Sequence, residues 1–369
     1  PAIVAGVALA LMETLADYGV SAFFGLDTFA TGIYKAWLAM NDRLAAAQLA
    51  SLLLVVVALL LWMERRAQAR LRFASTRQGA AGSQDARPLV LHGGLAVLAF
   101  MLCAIPVVLG FALPMVLLLR LLWQEVQFSE LGLPLGAFAG WAWGSFRLAA
   151  AAGLMATALA LVLAFLLRVR ARAAQRPLDR LVQWGLDLGS RVVGLGYAVP
   201  GGVIAVGILL PLAWVQAVVP QWGLPALFTG TALGLMMAYL VRFSAVALQA
   251  VESGYARVPP AVDDTARMLG ATPWRVLREV HLPLLKRSVV AALLLVFVDV
   301  MKELPATLVL RPFNADTLAV VAFNLARDER LGEAALPSLA IVLVGLIPVV
   351  MLSRALSSTR APERDAAAT

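Results

Sequence analysis

Charge, histidine and cysteine are all scarce in this sequence of 369 residues. Charged residues make up 14% of it, whereas soluble globular domains carry about 25%. The single cysteine, Cys103, excludes an intrachain disulfide, and its place within an apolar run favours a buried, unreactive thiol. The two histidines, His92 and His281, are too few and too far apart for an imidazole metal site.

Motifs of soluble enzymes are also missing. The sequence has no Gly-x-x-x-x-Gly-Lys-Ser/Thr loop, so we expect any ATP hydrolysis to take place in a partner subunit. It has neither a His-Glu-x-x-His motif nor a Gly-x-Ser-x-Gly motif, which disfavours a membrane-embedded hydrolase. We therefore expect no catalytic residues and no cofactor in this chain.

Apolar residues, in contrast, make up 62% of the sequence, and the mean hydropathy is +0.86. The apolar runs are long enough to cross about 30 Å of hydrocarbon as helices, which predicts an all-α transmembrane bundle of about eight spans. Pro106 and Pro114 predict a kinked or tilted third span. The predicted spans are 1–22, 44–63, 93–119, 144–167, 191–217, 224–248, 288–310 and 335–353.

The connectors between the runs alternate in charge. Lys and Arg concentrate in 64–90, 168–188, 252–287 and the C-terminal tail, which the positive-inside rule assigns to the cytoplasm. The connectors near 24–42 and 312–334 are acidic or sparsely charged, and we assign them to the periplasm. The net charge of +8 thus reflects the Lys and Arg residues of the cytoplasmic connectors. We therefore expect the chain to contact a lipid bilayer and not nucleic acid. Arg147 and Arg242 lie near predicted span ends, where we expect them to reach the lipid headgroups.

Two short sequence cassettes recur at an offset of 289 residues, which predicts a duplicated membrane domain. The first contains Phe24, Asp27, Thr28 and Ala30, the second Phe313, Asp316, Thr317 and Ala319, and Met12/Met301 and Leu15/Leu304 keep the same offset. Because the first copy starts almost at residue 1, which is not Met, we expect the chain to be a fragment. The predicted domains are the last two spans of a first repeat (1–63), a cytoplasmic linker (64–90), a complete second repeat of six spans (91–353) and a cytoplasmic tail (354–369).

The cytoplasmic loop at 256–287 carries the most specific motif. Val258-Pro259-Pro260 predicts the end of one helix, and Asp263 and Asp264 suit the N-terminus of a short new helix. Gly270 predicts its end in a left-handed conformation, and Pro273 predicts a second helix. We expect Leu282-Pro283 to end that helix before the membrane, and we expect a basic rim on the hairpin. The rim comprises Arg267, Arg275, Arg278, Lys286 and Arg287.

This loop resembles the EAA loop of ABC-importer permeases, a Glu-Ala-Ala motif followed at fixed distances by Gly and by Ile/Val-x-Leu-Pro. The matching residues are Asp264, Thr265, Ala266, Gly270, Val280, Leu282 and Pro283, with Asp and Thr as departures. The resemblance implies the type I (MetI-like) importer permease fold and a bacterial inner-membrane location. It also implies a loop that couples the permease to a homodimer of ABC ATPase subunits, and a periplasmic substrate-binding protein as a further partner.

Three stretches narrow the resemblance to fused two-repeat ferric-iron permeases. They are Met12–Gly19 with Phe24–Tyr34, Gly196–Gly201, and Lys302–Thr307 with Arg311–Phe313. This resemblance implies import of ferric iron, with this chain as the C-terminal two-thirds of such a protein. Permeases for thiamine, phosphonates or polyamines share the architecture and stay open as alternatives. A secondary transporter is a further alternative, although it would have no reason to keep an EAA-like loop.

Ionisable residues inside predicted spans are the candidates for the translocation pathway, because burying them in lipid is costly. Glu13 and Asp17 share a helical face in the first repeat, and Lys302 and Glu303 hold the equivalent place in the second. Carboxylates from both halves would suit a hard cation such as Fe3+, whereas pairing of Lys302 with Glu303 or Glu13 would make them a structural ion pair. Asp299 is a further candidate. Tyr197 lies in a Gly- and Pro-rich run that interrupts a helix, either to line the pathway or as a packing kink.

Overall fold

The computed structural model describes residues 2–77, 91–128, 132–170 and 177–366. Every regular element in these ranges is helical, which confirms the predicted all-α class. The helices in chain order are α1 (Ala2–Ala16), α2 (Gly19–Phe23), α3 (Phe29–Tyr34), α4 (Arg43–Arg77), α5 (Gly94–Val107), α6 (Leu113–Phe128), α7 (Leu135–Arg170), α8 (Pro177–Leu195), α9 (Gly201–Val218), α10 (Leu224–Gly230), α11 (Leu233–Tyr255), α12 (Pro260–Met268), α13 (Pro273–Arg275), α14 (Leu282–Met301), α15 (Pro305–Leu310), α16 (Leu318–Arg327) and α17 (Leu331–Ala366).

Six stretches of the described residues are long and apolar enough to cross a membrane, two fewer than predicted. They are Arg43–Met63, Gly94–Phe128, Leu135–Val169, Gly201–Val218, Leu233–Tyr255 and Leu331–Met351. The predicted span 1–22 divides into α1 and α2, and the predicted span 288–310 divides into α14 and α15. The second division falls before Pro305, which cannot continue the hydrogen bonding of the preceding helix.

The predicted span 224–248 is also wrong in register. Helix α10 ends at Gly230, Thr231 is extended, and α11 begins at Leu233 and continues to Tyr255. The Thr231 hydroxyl accepts a hydrogen bond from the Leu233 N–H at 3.2 Å, which favours a new helix start at this point. This shift places Arg242 in the middle of a spanning helix instead of at its end.

The predicted linker and tail are partly helical. Helix α4 continues from the membrane to Arg77, and α17 continues to Ala366. The rest of the predicted linker, 78–90, and the last residues of the tail, 367–369, lie outside the described residues. The division of the chain into domains stays a prediction.

The proline-containing third span is one apolar stretch with an irregular turn. A π-helical turn, Val108–Ala112, lies between α5 with Pro106 and α6 with Pro114, as expected for a helix that must accommodate two prolines. Cys103 is exposed on α5, so the prediction of a buried thiol was wrong. The reason is that the apolar side chains of this span face outward, where lipid is the solvent, and not into the protein core.

The core is built around α7, α11 and α14, which pack against one another. The buried face of α7 consists of small residues (Ala149, Ala152, Ala156 and Ala160), and a Cβ atom at Gly153 would lie 3.2 Å from the carbonyl oxygen of Leu293. Small side chains allow close backbone approach, the usual basis of helix packing in lipid. A second apolar cluster joins α3 and α4 to α9 and so holds the first-repeat segment against the rest of the chain.

The two sequence cassettes adopt the same local structure. Gly25 and Asn314, which are 289 residues apart, both have positive φ, at 65° and 62°. Thr28 and Thr317 then cap α3 and α16 by accepting hydrogen bonds from the backbone N–H three residues later. Helices α3 and α1 pack on α4 in the same way that α16 and α14 pack on α17. The four elements α1–α4 thus have counterparts in α14–α17.

Candidate functional site

A cavity of about 820 Å³ lies where α1 and α2 meet the break between α14 and α15. All six predicted pathway residues line it, which brings together side chains almost 300 positions apart. They are Glu13, Asp17, Tyr197, Asp299, Lys302 and Glu303. Arg242 is a further charged lining residue, and aromatic walls come from Tyr18, Phe243 and Phe323.

Lys302 joins the two halves of the cavity. Its Nζ lies 3.2 Å from Asp299 Oδ1 in the same helical turn and 3.7 Å from Glu13 Oε1 in α1. The Lys302 and Glu13 side chains are 49% and 56% exposed, so water screens their attraction and either group can release the other at little cost. Of the two predicted structural pairings for Lys302, the one with Glu13 is present.

The predicted pairing of Lys302 with Glu303 was wrong, because Glu303 binds Arg242 instead. Arg242 Nη1 lies 3.1 Å from Glu303 Oε1, and the two side chains are only 8% and 5% exposed. Glu303 Oε1 also accepts a hydrogen bond from the Ala306 N–H at 3.1 Å, at the start of α15. The prediction that Arg242 reaches the headgroups was therefore also wrong: a buried arginine in mid-membrane needs a carboxylate, and the helix break supplies one.

The glycine-rich break between α8 and α9 packs closely against this ion pair and against the backbone of α11. A Cβ atom at Gly201 would overlap Glu303 Oε1 and lie 2.7 Å from Arg242 Nη1, and a Cβ atom at Gly196 would overlap the carbonyl oxygen of Val241. Tyr197, in the short 3-10 turn of the same break, lines the cavity. The break is thus both a close packing contact and part of the cavity wall. The two interpretations of this run, a packing kink and a lining of the pathway, therefore both apply.

Two tyrosine hydroxyl groups connect α3 and α11 to the break between α14 and α15 through hydrogen bonds. The Tyr34 hydroxyl on α3 donates to the carbonyl of Pro305, and the Tyr34 ring packs on Tyr18 with centroids 4.0 Å apart. The Tyr239 hydroxyl contacts Thr307 Oγ1 at 2.8 Å, and Thr307 donates to the Glu303 carbonyl at 2.7 Å. Sequence reasoning missed Tyr34 and Tyr239, since an apolar neighbourhood around a tyrosine gives no sign of a distant acceptor.

The loop at 256–287 has the predicted turn. Gly270 has φ +77°, the Gly270 N–H bonds to the Arg267 carbonyl at 2.9 Å, and the Ala271 N–H bonds to the Ala266 carbonyl at 3.0 Å. This pair of bonds is the Schellman arrangement that ends a helix at a residue with positive φ. Asp264, Thr265 and Ala266 lie in α12, directly before this turn.

The second half of the loop differs from the prediction. Leu282-Pro283 does not end the helix; α13 leads through a π-helical turn, Val276–His281, directly into α14. The wider hydrogen-bond spacing of a π turn moves carbonyls away from the proline ring, so that Pro283 fits without a break. Val280 lies in this turn, and Leu282 and Pro283 form the first residues of α14.

No group of three or more His, Cys, Asp or Glu side chains in the described ranges is arranged to hold a metal ion. The cavity carboxylates are instead spread along its wall and partly engaged by Lys302 and Arg242. Such an arrangement suits passage of a charged solute better than tight binding.

Comparison with known proteins finds one matching family, and the relatives are named for two different substrates. Residues 180–361 match the family described as binding-protein-dependent transport system inner membrane component. The chain is 33% identical over 165 residues to the 2-aminoethylphosphonate transport system permease protein PhnV of Salmonella paratyphi A, covering 45% of this chain and 59% of that protein. It is 25% identical over 365 residues to the Fe(3+)-transport system permease protein FbpB 2 of Haemophilus influenzae, covering 96% of this chain and 65% of that protein. The chain thus spans less than two thirds of either relative.

Among solved structures, one chain of a bacterial alginate ABC transporter, in complex with an alginate pentasaccharide-bound periplasmic protein, superimposes with a TM-score of 0.48. The two chains are 15% identical, and the superposition covers 70% of this chain and 92% of that chain.

Proposed function

Because residues 180–361 match the binding-protein-dependent inner membrane transport family, we propose that this chain is the permease of an ATP-driven importer and that its cargo is ferric iron. In this proposal a periplasmic binding protein delivers the cargo, and separate ATPase subunits drive alternation of the cavity between the two sides of the inner membrane.

The charge of the cavity lining carries the choice of cargo. Four carboxylates and two cationic side chains line the cavity, so its wall has a net negative charge. A cleft of one charge sign in a low-dielectric surround concentrates solutes of the opposite sign, and hard Fe3+ prefers oxygen ligands. Similarity to the Haemophilus iron permease over 96% of this chain supports the same cargo.

A phosphonate is the second candidate, favoured by the PhnV similarity and by the two cations in the cavity. An anionic headgroup would need Arg242 or Lys302 as its partner. Both are already engaged, Arg242 by Glu303 and Lys302 by Asp299 and Glu13. A phosphonate would therefore have to displace carboxylates from both cations. A ferric ion could instead approach Asp17, which forms no ion pair among the described residues, so the phosphonate is the weaker candidate.

Growth distinguishes the two cargoes. A strain without other iron uptake should grow on chelated iron as sole source only when the complete transporter and its binding protein are present. The same transporter should not support growth on 2-aminoethylphosphonate as sole phosphorus source. Growth on the phosphonate without iron uptake would reject iron and keep the permease.

The carboxylates at the cavity mouth provide a sharper test. We expect Glu13→Gln together with Asp17→Asn to lower iron uptake by about tenfold or more, since the loss of two charges removes on the order of 1–3 kcal/mol of attraction for a cation. The measurement is uptake of radioactive ferric iron by cells with equal permease levels. Asp27→Asn is the matched control, because Asp27 is an exposed carboxylate of the same segment outside the cavity lining. Equal uptake in the double variant and the control would contradict a carboxylate-lined route.

The periplasmic cassettes supply a surface for the binding protein. Phe24 is 68% exposed and Phe313 94% exposed, and each precedes the positive-φ residue of its cassette. Exposed aromatic side chains on rigid turns commonly anchor protein interfaces. One anchor from each half, beside a cavity between them, suits a partner that bridges the halves to deliver cargo.

We therefore expect Phe24→Ser with Phe313→Ser to weaken stimulation of ATP hydrolysis by the loaded binding protein by roughly tenfold, since each buried aromatic anchor contributes about 1 kcal/mol or more. Basal hydrolysis should stay unchanged. Phe128→Ser is the control, as Phe128 is 82% exposed and lies between Glu125 and Glu130, in an acidic connector that the alternation of charge assigns to the periplasm as well. An equal loss in the control, or no loss in the double variant, would remove the cassettes from the docking surface.

A further inference from the structure

A continuous buried hydrogen-bond network lies behind the cytoplasmic loop. His281 Nε2 is 2.7 Å from Asp263 Oδ1, His281 Nδ1 is 3.1 Å from the Tyr255 hydroxyl, and Arg168 Nε is 2.7 Å from Asp263 Oδ2. His281 and Asp263 are only 1% and 4% exposed. The four residues come from four elements: Arg168 from α7, Tyr255 from α11, Asp263 from α12 and His281 from the π turn before α14.

The proton positions follow from these partners. Burial of Asp263 acts to raise its pKa, but hydrogen bonds from Arg168 and His281 outweigh burial, and the pKa is lowered overall. Asp263 is therefore a carboxylate and accepts from both neighbours. His281 donates to this carboxylate through Nε2–H, and its Nδ1 shares a hydrogen bond with the Tyr255 hydroxyl, so that both ring nitrogens have a partner.

Arg168 has a second task in the same place. Its Nη2 donates to the carbonyls of Val258 at 2.9 Å and Pro259 at 3.3 Å, and its Nη1 donates to the Tyr255 carbonyl at 3.2 Å. These carbonyls belong to the end of α11 and the short segment that leads into α12. One guanidinium thus fixes both the start of α12 and the carboxylate that faces it, using the several rigid donors that only arginine offers.

We propose that Arg168, Asp263, His281 and Tyr255 form a joint that makes α12 move as one body with the membrane helices α7, α11 and α14. This inference rests on the proposed function, in which the exposed side of α12 meets the ATPase. Met268, the last residue of α12, and Leu269, its C-cap, are 89% and 81% exposed, in contrast to the buried joint. Through the joint, a force from the ATPase on this exposed end moves α7, which is distant from α12 in sequence and lies at the centre of the core.

The four residues are positioning residues, since none of them is among the residues that line the cavity. A purely structural role would lower the amount of folded permease but would leave coupling intact in the molecules that fold. A joint has a different consequence: the ATPase stays bound, yet nucleotide no longer changes the cavity. Coupling must therefore be measured separately from protein level.

The experiment uses the assembled transporter in proteoliposomes and needs no cargo. The background carries Cys103→Ala, with Thr14→Cys as a single reporter on the cavity wall. We expect ATP to change the rate of maleimide labelling at position 14 by about fivefold or more in this background, as a coupling free energy of 1 kcal/mol or more implies. In Arg168→Lys and Asp263→Asn variants that change should fall below about twofold, while ATPase co-purification persists.

Two further variants keep the outcome decisive. Tyr255→Phe removes only the hydroxyl and should give an intermediate loss, even if the stronger variants fail to assemble. Arg180→Lys, at an exposed arginine of α8, is the matched control and should couple normally. Full nucleotide response in assembled Arg168→Lys, Asp263→Asn or Tyr255→Phe complexes would overturn the joint. Absence of any response in the unmodified transporter would instead overturn the proposed function.

Discussion

Glu303→Gln is expected to reduce the stability of the permease strongly. The substitution leaves the Arg242 charge buried, and Arg242 Nε already has no hydrogen-bond partner among the described residues. Breaking a buried ion pair by neutralising one partner costs about 3–5 kcal/mol. We expect the fraction of permease that survives heating in detergent to fall accordingly, and Arg242→Met to fall similarly because it leaves Glu303 buried and unpaired.

The double variant Arg242→Met with Glu303→Gln separates structure from function. No unpaired charge remains, and the Gln carbonyl can still accept from the Ala306 N–H, so most of the lost stability should return. If the pair serves only the fold, the double variant should transport normally. If it also controls the cavity, the double variant should fold but fail to transport.

Lys302→Met is the matched control for this cycle. Lys302 also contacts carboxylates, but its own side chain is 49% exposed, so water reaches both pairs, and the exposed pair with Glu13 contributes only about 0–1 kcal/mol. Its heating curve should therefore stay close to that of the unmodified protein. Additive losses in the double variant, without any recovery, would show that Arg242 and Glu303 do not stabilise the permease as a pair.

The difference between these two ion pairs also marks the limit of sequence reasoning. Composition and charge placed Glu13, Lys302 and Glu303 in one region, because ionisable residues in apolar runs are rare enough to stand out. The partner of Glu303 could not be identified in the same way. It depends on α11 beginning at Leu233, and that start is fixed by the short Thr231 turn, whose signal is weak beside a long apolar run.

Prediction from single residues was more successful where the local backbone conformation alone determines the structure. The positive φ of Gly270 and the start of a helix at Pro273 follow from the residues at those positions. The continuation through Pro283 does not, because a π turn depends on how the following helix packs in the core. The buried network around His281 was missed for the same reason: it joins four elements, and only the tertiary structure brings Arg168 within reach of Asp263.

The 289-residue offset shows how a repeat strengthens such reasoning. A single Phe-Gly or Phe-Asn pair indicates little, whereas the same turn and the same Thr cap at two matched positions indicate a structural unit that is repeated within one chain. The offset predicted equivalent elements in both halves. The charges at the equivalent positions Glu13 and Lys302 made their contact one of two predicted pairings, but the sequence did not decide between Glu13 and Glu303, since contact between the halves is set by the helix breaks that bring them together.

Gly270→Val is expected to abolish co-purification of the ATPase while the permease still inserts into the membrane. Valine is strongly disfavoured at φ +77°, and the strain costs on the order of 1–3 kcal/mol locally. The smallest rearrangement that removes this backbone strain unwinds the end of α12. Unwinding moves Met268 and Leu269 away from the positions in which an ATPase subunit would meet them. We expect transport in the assembled system to fall to background, measured together with the ATPase-to-permease ratio after affinity purification.

Two controls identify the cause. Gly270→Asn should retain most ATPase binding, because asparagine tolerates positive φ far better than valine does. Gly25→Val introduces the same kind of strain at φ +65° in the first cassette, on the opposite side of the membrane, and should leave ATPase binding intact. Loss of the ATPase with Gly25→Val as well would indicate general misfolding. Normal ATPase binding with Gly270→Val would mean that the α12 turn does not form the coupling surface.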